Sequence, residues 1–342
     1  MNRRHLLTLG FGGLIGLGGG FAYWLRRRRG ADEPVAVDVA AKPVPAFDPR
    51  RPEERRFGAL TYRAGLALSG RTAGFGGLSG LWRDPSRPHI LAVTDQGQWF
   101  EADLVYRDGR LTDLAAARLS PILGPDGEPL RGSPAFDCEA LAMSGGVAYV
   151  GIERVHRVLR FDFAGRGVLA RGEPIALPDE VGRQPRNDGL EALCIAPAGH
   201  PLAGALIGFA EAAVSGDQDP SPGWVLTGPE RFAFRVGRSR EFNVTDACFL
   251  PGGELLLLER SFGFSKGVGC RIRRIARDAI RPDAMLDGEV LLDVDTEFEI
   301  DNMEGLAVHR DAASGETVLT LLSDDNFNPL QRTLLLEFTL SA

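Results

Sequence analysis

An all-β chain built from repeated units is what this sequence predicts, and three observations carry it. Short apolar runs of strand length alternate with Gly- and Asp-containing turns through the body of the chain. No stretch of ten residues there keeps a clear 3.6-residue apolar period. A pattern of acid, apolar run, turn, apolar run and acid recurs at steps of about 52 to 59 residues, and β-rich units of that length read as the blades of a propeller.

The chain opens with a segment that carries no blade. Met1-Asn2-Arg3-Arg4-His5-Leu6-Leu7 is similar to a twin-arginine export signal, and an apolar, Gly-rich run follows from Leu6 to Leu25. Twenty such residues also suffice to cross a bilayer. Residues 1–30 are therefore expected to direct the protein to the periplasm or another extracytoplasmic place. Cleavage of the signal and anchoring to the inner membrane through residues 6–25 both stay open. Residues 31–55, with Pro34, Pro43, Pro45 and Pro52 among charges, read as a linker, and residues 56–342 as the propeller.

Five copies of the pattern follow. The first has Ser79-Gly80 in place of the leading acid and Asp95 as the trailing one. The second runs from Phe136 to Arg154, with Glu139 leading and Glu153 trailing. The third has Asn187-Asp188-Gly189-Leu190-Glu191 and then Glu211; the fourth has Asp246 and then Glu259-Arg260. The fifth has Asp301-Asn302-Met303-Glu304 and then Ser323-Asp324-Asp325. Copies one and two each continue into two more apolar runs, Trp99 to Arg107 and Leu111 to Leu119, then Val158 to Phe163 and Val168 to Leu177. Four strands per blade result. The fifth copy is one strand short, and the otherwise unplaced run Ala59 to Leu68 is expected to complete it and close the ring. Five blades are the count, with six left open.

In a propeller the first strand of each blade lines the axis, so residues at its start converge there. This places Ser79, Glu139, Glu191, Asp246 and Glu304 in an inner ring. The second strand returns to the same rim, about 5 Å outward, and brings Asp95, Glu153, Glu211, Glu259 and Asp324 around them. Carboxylates this close repel unless something neutralises them. A hard cation such as Ca²⁺, which takes six to eight oxygens, suits the set, with Ser79, Glu139, Glu191, Asp246 and Glu304 as its ligands. The bland alternative is that the acids cap turns through local hydrogen bonds. Arg154 and Arg260 each follow an outer acid directly, which suits contact with a phosphate, or else ion pairing between blades.

Composition excludes some classes. Six of the 39 basic residues and none of the 46 acids lie in residues 1–30, which leaves the body at −13. Such a body argues against nucleic acid as a partner and is compatible with cations. Cys138, Cys194, Cys248 and Cys270 show no zinc spacing, and Cys194 and Cys248 lie inside apolar runs, so buried free thiols are expected. Gly77-Leu78-Ser79-Gly80 is not a nucleophile elbow, and the five His offer no triad. Hydrolysis would instead use metal-activated water with carboxylate bases, for which Glu153, Glu259 and Asp324 are the candidates.

Several stretches together resemble the phytase-like family, described by its esterase-like activity. They are Phe136-Asp137-x-Glu139-Ala140-Leu141, Glu153-Arg154, Asn187-x-Gly189-Leu190-Glu191-Ala192-Leu193, Leu257-Leu258-Glu259-Arg260, Asp301-Asn302-Met303-Glu304-Gly305-Leu306 and Leu322-Ser323-Asp324-Asp325-Asn326-Phe327. The resemblance covers roughly Phe57 to Leu340. It implies kinship with propeller phytases, six-bladed enzymes that bind several Ca²⁺ ions and cleave phosphomonoesters. More distantly the chain is similar to calcium-activated nucleotidases of the apyrase type, five-bladed with one acid or Ser from each blade around a central Ca²⁺. Copy four departs from that pattern with the shorter Asp246. The expectation is a monomeric, exported, Ca²⁺-dependent phosphoesterase acting on a small phosphate ester at the acid-rich face. A non-catalytic propeller with a structural Ca²⁺ that binds a ligand or partner is the alternative. A glycosidase using two ring carboxylates is a third reading.

Overall fold

The computed structural model describes residues 32–341, apart from 73, 132, 134, 185–188, 212–218, 239–241 and 264–266. The arginine-led signal, the apolar run Leu6 to Leu25 and Asn187-Asp188 therefore lie outside the described residues. Among the described residues no helix is long and apolar enough to cross a membrane.

Five sheets form five blades, antiparallel except where Met285–Leu286 adds in parallel to the edge of the third, and their innermost strands neighbour one another in a closed ring. Those strands are Leu78–Arg83, Cys138–Ser144, Leu190–Ile195, Asn243–Phe249 and Asn302–Arg310. Their second strands are His89–Thr94, Val147–Ile152, Leu206–Ala210, Leu255–Gly263 and Thr317–Asp324. Six blades are thereby excluded. The ring closes as the sequence predicts. Leu60–Gly70 pairs antiparallel with the C-terminal strand Thr333–Leu340, Leu68 opposite Thr333 and Leu60 opposite Leu340.

No common core fills the molecule. Five apolar clusters lie one between each pair of neighbouring blades: Leu81, Ala92 and Leu322 join the first to the fifth, and Leu257, Ile207 and Val244 join the third to the fourth. A blade is thus covered on both faces. This is why its strands read as unbroken apolar runs such as Leu255 to Leu258, all buried.

Two expectations need correction. Residues 31–55 are not a linker from Val35 onward. Val35–Ala36 adds to the outer edge of the first blade, and Val39–Pro43 pairs with Leu60–Gly70 in the fifth. Phe47 is fully buried, its ring 4.9 Å from those of Phe57 and Phe338. The prolines misled because an edge strand tolerates a missing N–H donor, as at Pro43. The run Val168 to Leu177 is not a full strand either. Phe163–Arg166 and Gly167–Leu169 make short helical turns, and only Glu173–Pro174 pairs as the fourth strand. The four cysteines are free, with Cys138, Cys194 and Cys270 buried and Cys248 partly so.

Candidate metal and oxyanion site

Each innermost strand carries a bulge near its start. Pairing slips between Ser79 and Leu81, Cys138 and Ala140, Leu190 and Ala192, Val244 and Asp246, and Met303 and Gly305. The extra residue in each is Gly80, Glu139, Glu191, Thr245 and Glu304. A bulge bends the strand and re-aims a side chain, and here it does so five times at one end of the ring. Gly80 meets a special demand, since its φ is +46° and a Cβ there would lie 2.7 Å from the amide nitrogen of Leu141 in the next blade.

The trailing acids are placed by a second repeated device. The amides of Asp95, Glu153 and Glu211 donate to the carbonyls of Gly77, Asp137 and Gly189, the residues just ahead of each inner strand. This ties the exit of strand two to the start of strand one and holds each trailing acid beside its bulge.

Carboxylates gather at the second and third blades. Oxygens of Asp137, Glu139 and Glu153 lie within 4.8 Å of one another, and so do those of Glu153, Glu191 and Glu211. Glu153, Glu191 and Glu211 are all buried. Burial pushes the Glu139 carboxyl well above its usual range, and Asp137, Glu191, Glu304 and Glu153 push it further. Burial likewise raises Asp324, assisted by Glu304, Asp95 and Asp325. Asp137 and Glu211 join the leading residues although the bulge positions alone do not mark them. The Asp-x-Glu spacing of Asp137 and Glu139 was the readable signal for the first, and the bulge at Glu139, just inside the strand start, is what brings the two carboxylates together.

The far side of the site is differently made. Ser79 Oγ donates to Glu304 Oε2 at 2.9 Å, and Asn302 Nδ2 donates to Glu304 Oε1 at 2.8 Å. Arg260 reaches in from the fourth blade, Nη1 3.3 Å from Glu304 Oε1 and Nη2 3.5 Å from Glu211 Oε1, and also donates to Asn302 Oδ1. Arg154 stays at the rim. Its Nε donates to Asp137 Oδ2 at 2.6 Å and its guanidinium lies 4.6 Å from the centre of the Phe136 ring.

Two predicted residues are spent elsewhere. Asp246 sits one position past its bulge, so Thr245 is the true counterpart of Glu139, Glu191 and Glu304. The Asp246 carboxylate accepts the amides of Leu306 at 2.6 Å and Ala247 at 2.8 Å, and so holds inner strands together. Burial still raises its carboxyl, with those amides and that of Leu81 opposing. Glu259 is buried in a two-pronged pair with Arg273, at 2.5 and 2.7 Å. Both oxygens of each carboxylate are already taken, by two amides in Asp246 and by two guanidinium nitrogens in Glu259, so neither residue suits the role expected of it.

A family model described as "Phytase-like: Esterase-like activity of phytase" matches residues 73–327. This chain belongs to the phytase-like family. Every bulge and every trailing acid lies within the matched span. No curated protein sequence matches the chain. Similar solved structures include the WD40 repeats of RRP9 (TM-score 0.42, 10% identity, 82% of this chain and 99% of that one). They also include glutaminyl cyclase of Myxococcus xanthus (0.39, 11%, 91% and 100%) and the WD40 domain of coronin from Toxoplasma gondii (0.40, 9%, 92% and 90%).

Proposed function

We propose that this phytase-like protein binds a divalent cation, Ca²⁺ first among candidates, at the acids of the second and third blades and hydrolyses small phosphate esters there. The observation that carries the reading is the pair of overlapping carboxylate sets, Asp137, Glu139 and Glu153 with Glu153, Glu191 and Glu211. Oxygen-only donors of high negative charge fit a hard cation and exclude a thiophilic one. Glu139, Glu153 and Glu191 would hold the ion, with Asp137 and Glu211 closing its flanks. Bound there, such an ion supplies positive charge for an ester oxygen and acidifies a water. The chain's own part is to orient that ester. Arg154 and Arg260 supply forked N–H donors on either side of the acids, and Asp324 is the remaining carboxylate for proton transfer.

The second reading, a structural ion in a ligand-binding propeller, is favoured by one observation. Glu153 belongs to the second blade while Glu191 and Glu211 belong to the third, so a shared ion would also staple two blades. Export to the periplasm, with or without an inner-membrane anchor, and a monomeric state complete the proposal. The test is the chelator-treated protein, verified metal-free, titrated with Ca²⁺ and then assayed on a panel of phosphate monoesters. Binding with Ca²⁺-dependent turnover is the expected result. Binding without turnover would select the structural ion. An unchanged melting temperature and no binding heat would remove the metal from the proposal altogether.

A further inference from the structure

Two arginines of the fourth blade meet acids in opposite ways. Arg273 is fixed, almost fully buried, with both prongs on Glu259 at 2.5 and 2.7 Å. Arg260 is shared. Its contacts to Glu304 and Glu211 are 3.3 and 3.5 Å, longer than the 2.7–2.9 Å usual for a charge-assisted bond, and its side chain keeps 17% exposure. The acids that hold it also accept from other donors. Asn302 Nδ2 donates to Glu304 Oε1, and Asn243 Nδ2 donates to Glu211 Oε1 at 3.2 Å.

Glu211 stands at the centre of the matter, because it serves two sets. With Glu153 and Glu191 it makes an oxygen cluster, and with Glu304 it brackets the Arg260 guanidinium. One carboxylate cannot fully neutralise a divalent ion and a guanidinium together, and the two cations repel one another. Resting on the cation reading above, we propose that Arg260 is a resident counter-charge of the metal-free site and competes with the cation for Glu211. Binding is then ordered. The cation takes Glu211, Nη2 of the guanidinium loses that partner and turns to the oxyanion of the ligand, while Nη1 stays with Glu304 and Asn302. The ligand class this selects is a phosphate or other oxyanion small enough to touch the ion and Arg260 at once.

The test uses the full chain, metal-free, with calorimetric titration by Ca²⁺ alone and then by phenylphosphonate, which has no ester bond to break. Arg260→Gln removes the charge, Arg260→Met does so while keeping an apolar stem, and Arg260→Lys keeps the charge. Either neutral variant should bind Ca²⁺ about fivefold or more tightly than wild type, while Arg260→Lys should stay near wild type. Wild type should bind phenylphosphonate at least tenfold more tightly with Ca²⁺ than without, and the neutral variants should lose that gain. Equal or weaker Ca²⁺ binding by both neutral variants would overturn the competition, and phosphonate binding indifferent to Ca²⁺ would overturn the order. The two readings can fail separately. Should wild type bind no Ca²⁺ while the neutral variants do, the resident metal falls and the counter-charge stands. Should none of them bind it, both fall.

Discussion

The third and fourth blades carry nearly the same written pattern and use it for opposite ends. In the third, Glu191 occupies the bulge and Glu211 follows the second strand, so both acids stay in the shared cluster. In the fourth, Thr245 occupies the bulge and donates to the carbonyl of Met303, Asp246 turns to backbone amides, and Glu259 is neutralised by Arg273. What projects to the site instead is Arg260, the next residue along the strand. A shift of one residue exchanges a place in the carboxylate cluster for a place in the scaffold, because neighbouring side chains on a strand face opposite ways.

The comparison breaks most visibly at Glu259. Glu259→Ala leaves the Arg273 charge buried without its main partner, and a loss of about 3–5 kcal/mol in denaturant melts is expected. Calcium affinity should be untouched; a clear weakening would return Glu259 to the site. Asp246→Ala comes next. Losing a charged acceptor from the Leu306 and Ala247 amides should cost about 1.5–3 kcal/mol of stability, again with calcium affinity preserved. Glu191→Gln should do the reverse. It is expected to weaken Ca²⁺ binding tenfold or more, about 1.4 kcal/mol, while the metal-free protein melts no lower than wild type. A metal-free Glu191→Gln protein that melts far below wild type would make Glu191 a structural residue like Asp246.

The smallest effect is in pH. The Glu139 and Asp324 carboxyls are held above their ordinary values by burial and by neighbouring acids. A raised carboxyl binds its proton more tightly folded than unfolded, so its stabilising effect is complete at low pH and lost as pH rises through the folded value. Without metal, the melting temperature should therefore fall as pH climbs above the ordinary carboxylate range. Saturating Ca²⁺ should flatten that slope, since the cation favours the charged forms. A metal-free protein whose stability rises with pH over the same interval would show that paired acids such as Asp84 and Asp311, held low by their hydrogen bonds, dominate the titration.

Much of the ring could be read in advance because a blade covered on both faces writes its strands as apolar runs, as in Leu255 to Leu258. Closure by Leu60–Gly70 was legible by arithmetic, the fifth copy lacking one strand. The bulges were not. An inserted residue has no composition of its own, and Val244-Thr245-Asp246 gives no sign that Thr245 is the one out of register. Arg260 was marked by its place directly after Glu259, but nothing in Gly267–Ile275 singled out Arg273 as the residue that neutralises Glu259. The edge strand Val39–Pro43 was hidden for another reason: an edge position tolerates proline and needs no alternation.

Closure of the ring also sets a timetable. Leu60–Gly70 is made first, and its partner Thr333–Leu340 follows 263 residues later (333 − 70). At 5–20 residues per second the first strand waits on the order of tens of seconds for its place in the sheet. Throughout that interval Leu66 and Leu68, fully or nearly buried in the finished molecule, lack the neighbour that covers them. The protein is then a client for whatever shields nascent chains, and a ribosome stalled just short of Thr333 would leave an open ring with two unpaired edges.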